Sequence, residues 1–123
     1  MRILIVEDEK SLVEILKEEF KSHGYDVDIA EDGERAMEKM IEKKPDLVLL
    51  DLLLPKKDGF AVMHDMKLDE TLKNIPVVII SNLGQDEEIK RGLALGAIDY
   101  FVKSQHPLKE IVEKVRKYLV KAR

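Results

Sequence analysis

Asp51 follows "LVLL" and precedes "LLLP", a carboxylate set among leucines. An isolated carboxylate is expensive to bury in apolar surroundings, so Asp51 needs partners. Polar residues recur at the same point of other apolar runs. Glu7 and Asp8 follow "ILIV", Ser81 and Asn82 follow "VVII", and Lys103 follows "YFV". If these run ends converge, three carboxylates, a hydroxyl and an amine share a pocket. Carboxylates at close range raise one another's pKa. A hard divalent cation relieves that repulsion, and all-oxygen ligands suit magnesium or manganese. With Lys103 beside such a cation, positive and negative charges balance. Both can contact a transferred phosphoryl group, and a carboxylate can act as nucleophile and become an aspartyl phosphate. Ser81 can then hydrogen-bond a phosphoryl oxygen.

Convergence depends on the elements that carry these residues. Short apolar runs stand at 3–6, 27–30 ("VDIA"), 47–50, 77–80 and 100–102. Most are continuous rather than alternating, as strands covered on both faces are. Between them lie stretches of helical period. Lys10 to His23 carries Leu12, Val13, Ile15, Leu16 and Phe20 on one side, and Gly33 to Lys43 carries Ala36, Met37, Met40 and Ile41. Gly59 to Leu68, Gln85 to Leu95 and Leu108 to Lys121 follow the same pattern. Gly24, Gly96 and the "KKP" ending at Pro45 read as helix stops, and Pro76 as the first residue of a strand. Five strand–helix repeats imply an α/β fold with a parallel sheet and helices on both faces. Open sheets of this kind bind ligands at the carboxyl ends of their strands. The chemistry-bearing residues sit there, whereas the second strand ends less informatively in Ala30 and Glu31.

The segments "ILIVEDE", "PDLVLLDLLLPKKDGF", "IPVVIISNLG" and "LGAIDYFVKS", in that order and spacing, make the chain resemble a receiver domain of two-component response regulators. It is similar to the stand-alone chemotaxis and sporulation type. The resemblance covers essentially the whole chain, residues 1–123, as a single domain. It implies a flavodoxin-like (βα)5 sandwich with a five-stranded parallel sheet in the order 2-1-3-4-5. It implies that Asp51 accepts a phosphoryl group from a histidine kinase or phosphotransfer protein. Asp8 would bind Mg2+ (Mn2+ possible) directly, Glu7 directly or through water, and the Leu53 carbonyl would add a ligand. Lys103 would contact the phosphoryl group. Ser81 and Tyr100 would be switch residues, the Tyr100 ring turning inward as Ser81 moves. The fourth helix, fifth strand and fifth helix would form the output face, at Asp86 to Gly92, Asp99 to Val102 and Lys109 to Tyr118. Its partner would be a downstream protein or a missing output domain. Ser11, Leu12 and Ile15 would belong to a kinase-docking face.

The chain also departs from the family pattern. Ser104 stands after Lys103 where many receivers have proline, so this bond is either trans or a strained cis peptide. Asn82 is larger than the usual residue at its position, and Leu53 is apolar where dephosphorylation is often tuned. Together they are expected to restrict access and slow loss of the phosphoryl group. Blander readings exist for most of these residues. Asp8 and Glu7 can cap the first helix and Ser81 the fourth. Lys103 can be a solvated lysine and Tyr100 a core aromatic. Leu12 and Ile15 can simply widen a buried face. His23, His64 and His106 are dispersed and read as surface residues.

Composition narrows the rest. The net charge of -4 with mixed signs offers no basic patch for direct nucleic-acid binding. No apolar run is long enough to span a bilayer, and no signal-peptide pattern follows Met1. The absence of cysteine fits a cytoplasmic protein. Enzyme status reduces to the domain's own Mg-dependent phosphorylation and dephosphorylation. A monomer or a phosphorylation-dependent dimer is expected. The alternative is a binding module of the same fold that works without phosphorylation. A flavin or nucleotide carrier would need a Gly-, Ser- or Thr-rich loop where this chain has "EDEKS". A related phosphatase would need aspartates two apart, and Asp51 is followed by Leu52 and Leu53.

Overall fold

Strands and helices alternate without exception in the computed structural model, which describes residues 1–121. The order is β1 (Arg2–Val6), α1 (Lys10–Ser22), β2 (Asp26–Ala30), α2 (Gly33–Lys43), β3 (Leu47–Leu50), α3 (Gly59–Leu68), β4 (Val77–Ser81), α4 (Asp86–Ala94), β5 (Asp99–Val102) and α5 (Leu108–Lys121). The strands form one parallel sheet in the order β2-β1-β3-β4-β5. This is the flavodoxin-like arrangement expected of the pattern.

Strand alternation divides the core into two layers. Leu4, Val6, Val48, Leu50 and Ile79 face α2 and α3, where Ala36, Met40, Val62, Met63 and Met66 meet them. Ile3, Ile5, Leu47, Leu49, Val78 and Ile80 face α1 and α5, where Leu16, Phe20, Ile111, Val115 and Leu119 meet them. Both faces of the central strands are therefore buried, which explains the continuous apolar runs.

Local chemistry ends and starts the helices. Gly24 follows α1 at φ +89°, a left-handed conformation that favours glycine. Lys44 takes the same region at φ 48° to close α2, just before Pro45. Asp32 caps α2 by accepting from Arg35 N–H at 2.8 Å, and Asp58 caps α3 by accepting from Ala61 N–H at 2.9 Å. The Glu88 side chain accepts from Gln85 N–H at 3.2 Å and starts α4.

Several expectations are corrected. Pro76 lies outside β4; its carbonyl accepts from Val48 N–H at 2.9 Å and leads the chain into the sheet. Ile41 is 57% exposed, because α2 docks through Ala36 and Met40 and the next residue turns away. Leu12 and Ile15 separate: Leu12 is buried against the sheet, while Ile15 is exposed beside Ser11, four residues back on the same stripe. His106 is half-buried, edge-on to Phe101 at 5.2 Å and 3.1 Å from Glu110. No cis peptide occurs among the described residues, so Lys103–Ser104 is trans.

Candidate functional site

The sheet order makes β1, β3, β4 and β5 neighbours, and their carboxyl ends line up. Three functional residues stand one position beyond a strand yet remain tied to the ladder. Glu7 N–H donates to Ala30 O at 3.0 Å, Asp51 N–H to Val6 O at 3.0 Å, and Lys103 N–H to Ser81 O at 2.8 Å. Their side chains thus start from fixed backbone.

Those side chains meet. Lys103 Nζ donates to Glu7 Oε1 at 2.9 Å and to Asp51 Oδ2 at 3.1 Å. Glu7 is 1% exposed and Asp51 4%, so Asp51 is deeply buried despite its place at a strand end. Burial, and then the neighbouring Asp51, push the Glu7 carboxyl up to about 8 against the opposing pull of Lys103. Burial opposes the Lys103 charge, but Glu7 and Asp51 outweigh it and its pKa is raised. Asp8 is exposed, at the rim. A cleft of about 270 Å3 lined by Glu7, Asp8, Lys10, Glu14 and Glu31 adjoins the acids.

This donor set fits a hard cation. Glu7, Asp8 and Asp51 each offer an oxygen, and these oxygens lie within 4.8 Å of one another. Glu7 Oε2 is buried and has no hydrogen-bond partner in the protein. A buried carboxyl oxygen without a partner costs free energy that a divalent ion, taking the place of the proton, would offset. Neither acid caps α1: its N-cap residue is Glu9, which makes no side-chain capping bond.

Ser81 and Tyr100 act on one residue from two sides. Ser81 is fully buried at the end of β4, and its Oγ accepts from Leu83 N–H at 3.2 Å. Tyr100 is 9% exposed, its ring inward and its hydroxyl donating to Leu83 O. Burial first, then the charge of Glu88, raise the Tyr100 pKa. Ser81 therefore secures the β4–α4 loop at Leu83 rather than capping α4. Asn82 and Leu53 are both exposed, Leu53 by 56%, and Leu53 N–H donates to Asp51 Oδ1 at 3.3 Å.

Sequence reasoning missed three residues here. Glu9 Oε2 reaches within 3.9 Å of Lys103 Nζ, and its place in the acidic run "EDE" was the available signal. Leu83 acts through backbone atoms, which no side-chain pattern reports. Gly92, inside α4, leaves room for the Tyr100 ring; a glycine amid helical residues was the hint. On the expected output face, Tyr118 on α5 donates to Asp99 Oδ2 on β5 at 2.6 Å. Leu93 and Ile98, one residue outside those ranges, are 45% and 41% exposed.

Known proteins of similar sequence and fold identify the family. The family model for the response regulator receiver domain matches residues 3–116. The chain is 38% identical over 120 residues to the alkaline phosphatase synthesis transcriptional regulatory protein PhoP of Bacillus subtilis, covering 96% of this chain and 48% of PhoP. It thus spans about half the length of the curated relatives it matches. Among solved structures, the BeF3-activated N-terminal receiver domain of Klebsiella pneumoniae RstA superposes with a TM-score of 0.87 at 32% identity, covering 97% of this chain and 98% of that one. The Mn(2+)-bound form of response regulator Rcp1 superposes with a TM-score of 0.80 at 33% identity, covering 94% and 89%. The chain belongs to the response regulator receiver domain family of two-component systems.

Proposed function

We propose that this domain takes a phosphoryl group from the phosphohistidine of a histidine kinase or phosphotransfer protein onto Asp51. Asp51 Oδ attacks phosphorus, the phosphorus–nitrogen bond breaks, and the carboxylate becomes an acyl phosphate that water later hydrolyses. Glu7, Asp8, Asp51 and the Leu53 carbonyl would hold Mg2+, or Mn2+ in its place, which when bound would supply charge neutralisation at the phosphoryl oxygens. Lys103, which pairs with Asp51 and Glu7, holds the nucleophile in place and can transfer its contact to the arriving phosphoryl group. Ser81 then turns to a phosphoryl oxygen and releases Leu83 N–H, to which its Oγ is bonded. Because Tyr100 holds the carbonyl of the same residue, the loop, Tyr100 and α4 respond together. The result is a population shift read at the α4-β5-α5 face by a downstream protein or an output domain. Leu53 and Asn82 limit access to the site. Ser11 and Ile15 remain exposed and available for kinase docking, while Leu12 supports them from the core. The setting proposed is the cytoplasm, without direct membrane or nucleic-acid binding. Among the described residues no helix is long and apolar enough to cross a membrane.

The observation that carries this reading is a buried carboxylate pair bridged by one lysine, with a carboxylate oxygen of Glu7 left unpartnered. The test is incubation with an acyl or amido phosphate, with and without Mg2+, followed by intact mass measurement. A Mg2+-dependent gain of one phosphoryl group, lost in Asp51→Ala, is expected. No gain with any donor refutes the reading and leaves a phosphorylation-independent binding module.

A further inference from the structure

The loop from β3 to α3 carries Leu53 next to Asp51 and is held from outside the site. On one flank stands the first residue of α2. Gly33 N–H donates to Pro55 O at 3.4 Å. A Cβ at Gly33 would lie 1.9 Å from Lys57 O and 2.6 Å from Lys57 Cβ, so loop and helix meet with no room for a side chain. On the other flank, Lys57 Nζ pairs with Asp65 of α3. Between them Lys57 N–H closes on Pro55 O at 2.7 Å. The central residue of this three-residue turn, Lys56, has φ 66°, a left-handed conformation that non-glycine residues rarely adopt. Inside the site, the same loop delivers Leu53 N–H to Asp51 Oδ1 at 3.3 Å.

Contacts from Gly33 and Asp65 therefore hold residues 55–57, and the chain runs from there through Leu54 to Leu53, which bonds the Asp51 carboxylate. Neither α2 nor Asp65 offers a group to the acidic cluster. We infer that Gly33 and Asp65 are positioning residues for the cation site: they clamp Lys57 from α2 and α3 and so fix the loop that orients Asp51. The inference rests on the cation-dependent reading above. A side chain at Gly33 must push Lys57 backbone, and the turn at Lys56 passes that push along the loop. Outer contacts that orient metal ligands commonly govern affinity by about 10- to 100-fold when lost.

The test is Mn2+ binding by calorimetry, with urea unfolding measured on the same proteins. Gly33→Ala is expected to bind Mn2+ about tenfold more weakly. Gly24→Ala is the control: it strains a φ of +89° with nothing within 4 Å of the added methyl, so it loses stability while keeping parental Mn2+ affinity. Gly33→Ala binding Mn2+ within about twofold of the parent, below any outer-contact effect, overturns the inference. Weakening of the same size in Gly24→Ala also overturns it, because the loss is then one of general stability. Should Gly33→Ala fail to fold, Asp65→Asn decides, since it adds no bulk: weaker binding supports the clamp and parental binding overturns it. A parent that binds no Mn2+ refutes the underlying reading and the inference with it, whereas a binding parent with an indifferent clamp refutes the inference alone.

Discussion

Gly92 offers a direct test of how α4 is fitted to Tyr100. Glycine within a helix is unfavourable by roughly 1 kcal/mol relative to alanine, so Gly92→Ala on an open surface would stabilise. Gly92 is not on an open surface. An added Cβ would stand 2.6 Å from Ile79 Cδ1 and 3.2 Å and 3.3 Å from the Tyr100 ring. Ile79 is fully buried and the Tyr100 hydroxyl is anchored to Leu83 O, so neither neighbour yields freely. Overpacking of a tight core costs about 1–3 kcal/mol. The overpacking exceeds the propensity gain, and Gly92→Ala is expected to destabilise by roughly 1 kcal/mol. The assay is urea unfolding followed by far-UV circular dichroism, run as a cycle with Ile79→Val. That second change removes Cδ1, the nearest obstacle, and costs about 0.5–1.5 kcal/mol alone. The double variant should be more stable than the sum of the single effects, with a coupling of about 1 kcal/mol. A Gly92→Ala protein stabilised by about the full propensity gain would refute the reasoning, as would strict additivity.

Tyr118 is pushed up to about 12, chiefly by its hydrogen bond to Asp99. A raised folded-state value means that the neutral form stabilises the fold; this contribution is complete below the ordinary value of 10.0 and is lost as pH rises toward about 12. Tyr118→Phe should therefore be less stable at neutral pH and show a shallower stability decline over that alkaline window, measured by denaturant titration at each pH. Lys103→Met should bind Mn2+ more tightly than the parent, since Glu7 and Asp51 lose their shared cation, yet accept phosphoryl groups more slowly; equal or weaker calorimetric affinity contradicts the assigned electrostatics. Asn82→Ala should shorten the phosphoryl half-life, read as loss of the added mass over time, and an unchanged half-life sinks the gating role of Asn82.

Much of the fold was legible because burial on both faces leaves a plain signature. The run "LVLL" is β3 residue for residue, and Gly33–Lys43 and Gly59–Leu68 match α2 and α3 at both ends. Polar residues directly after such runs marked the strand ends, which is why Glu7, Asp51, Ser81 and Lys103 stood out. Composition could not say which face of α1 turns inward at its edge. Leu12 and Ile15 are equally apolar, and only packing against Leu16 and Phe20 buries one and leaves the other in solvent.

By itself the sequence determined the residue types of the site and the strand ends that carry them, because period and polarity are local properties. It also limited the ligand chemistry, since "EDE" and Asp51 favour a cation over a bare phosphate. Only the tertiary structure decided who meets whom. Lys103 and Glu7 are 96 residues apart in the chain and 2.9 Å apart in space. Leu83 joins Ser81 to Tyr100 through its backbone, and Gly33 bears on Lys57 by lacking a side chain. Such contacts depend on strand order and on close approach between elements, and neither is written in the pattern of any single segment.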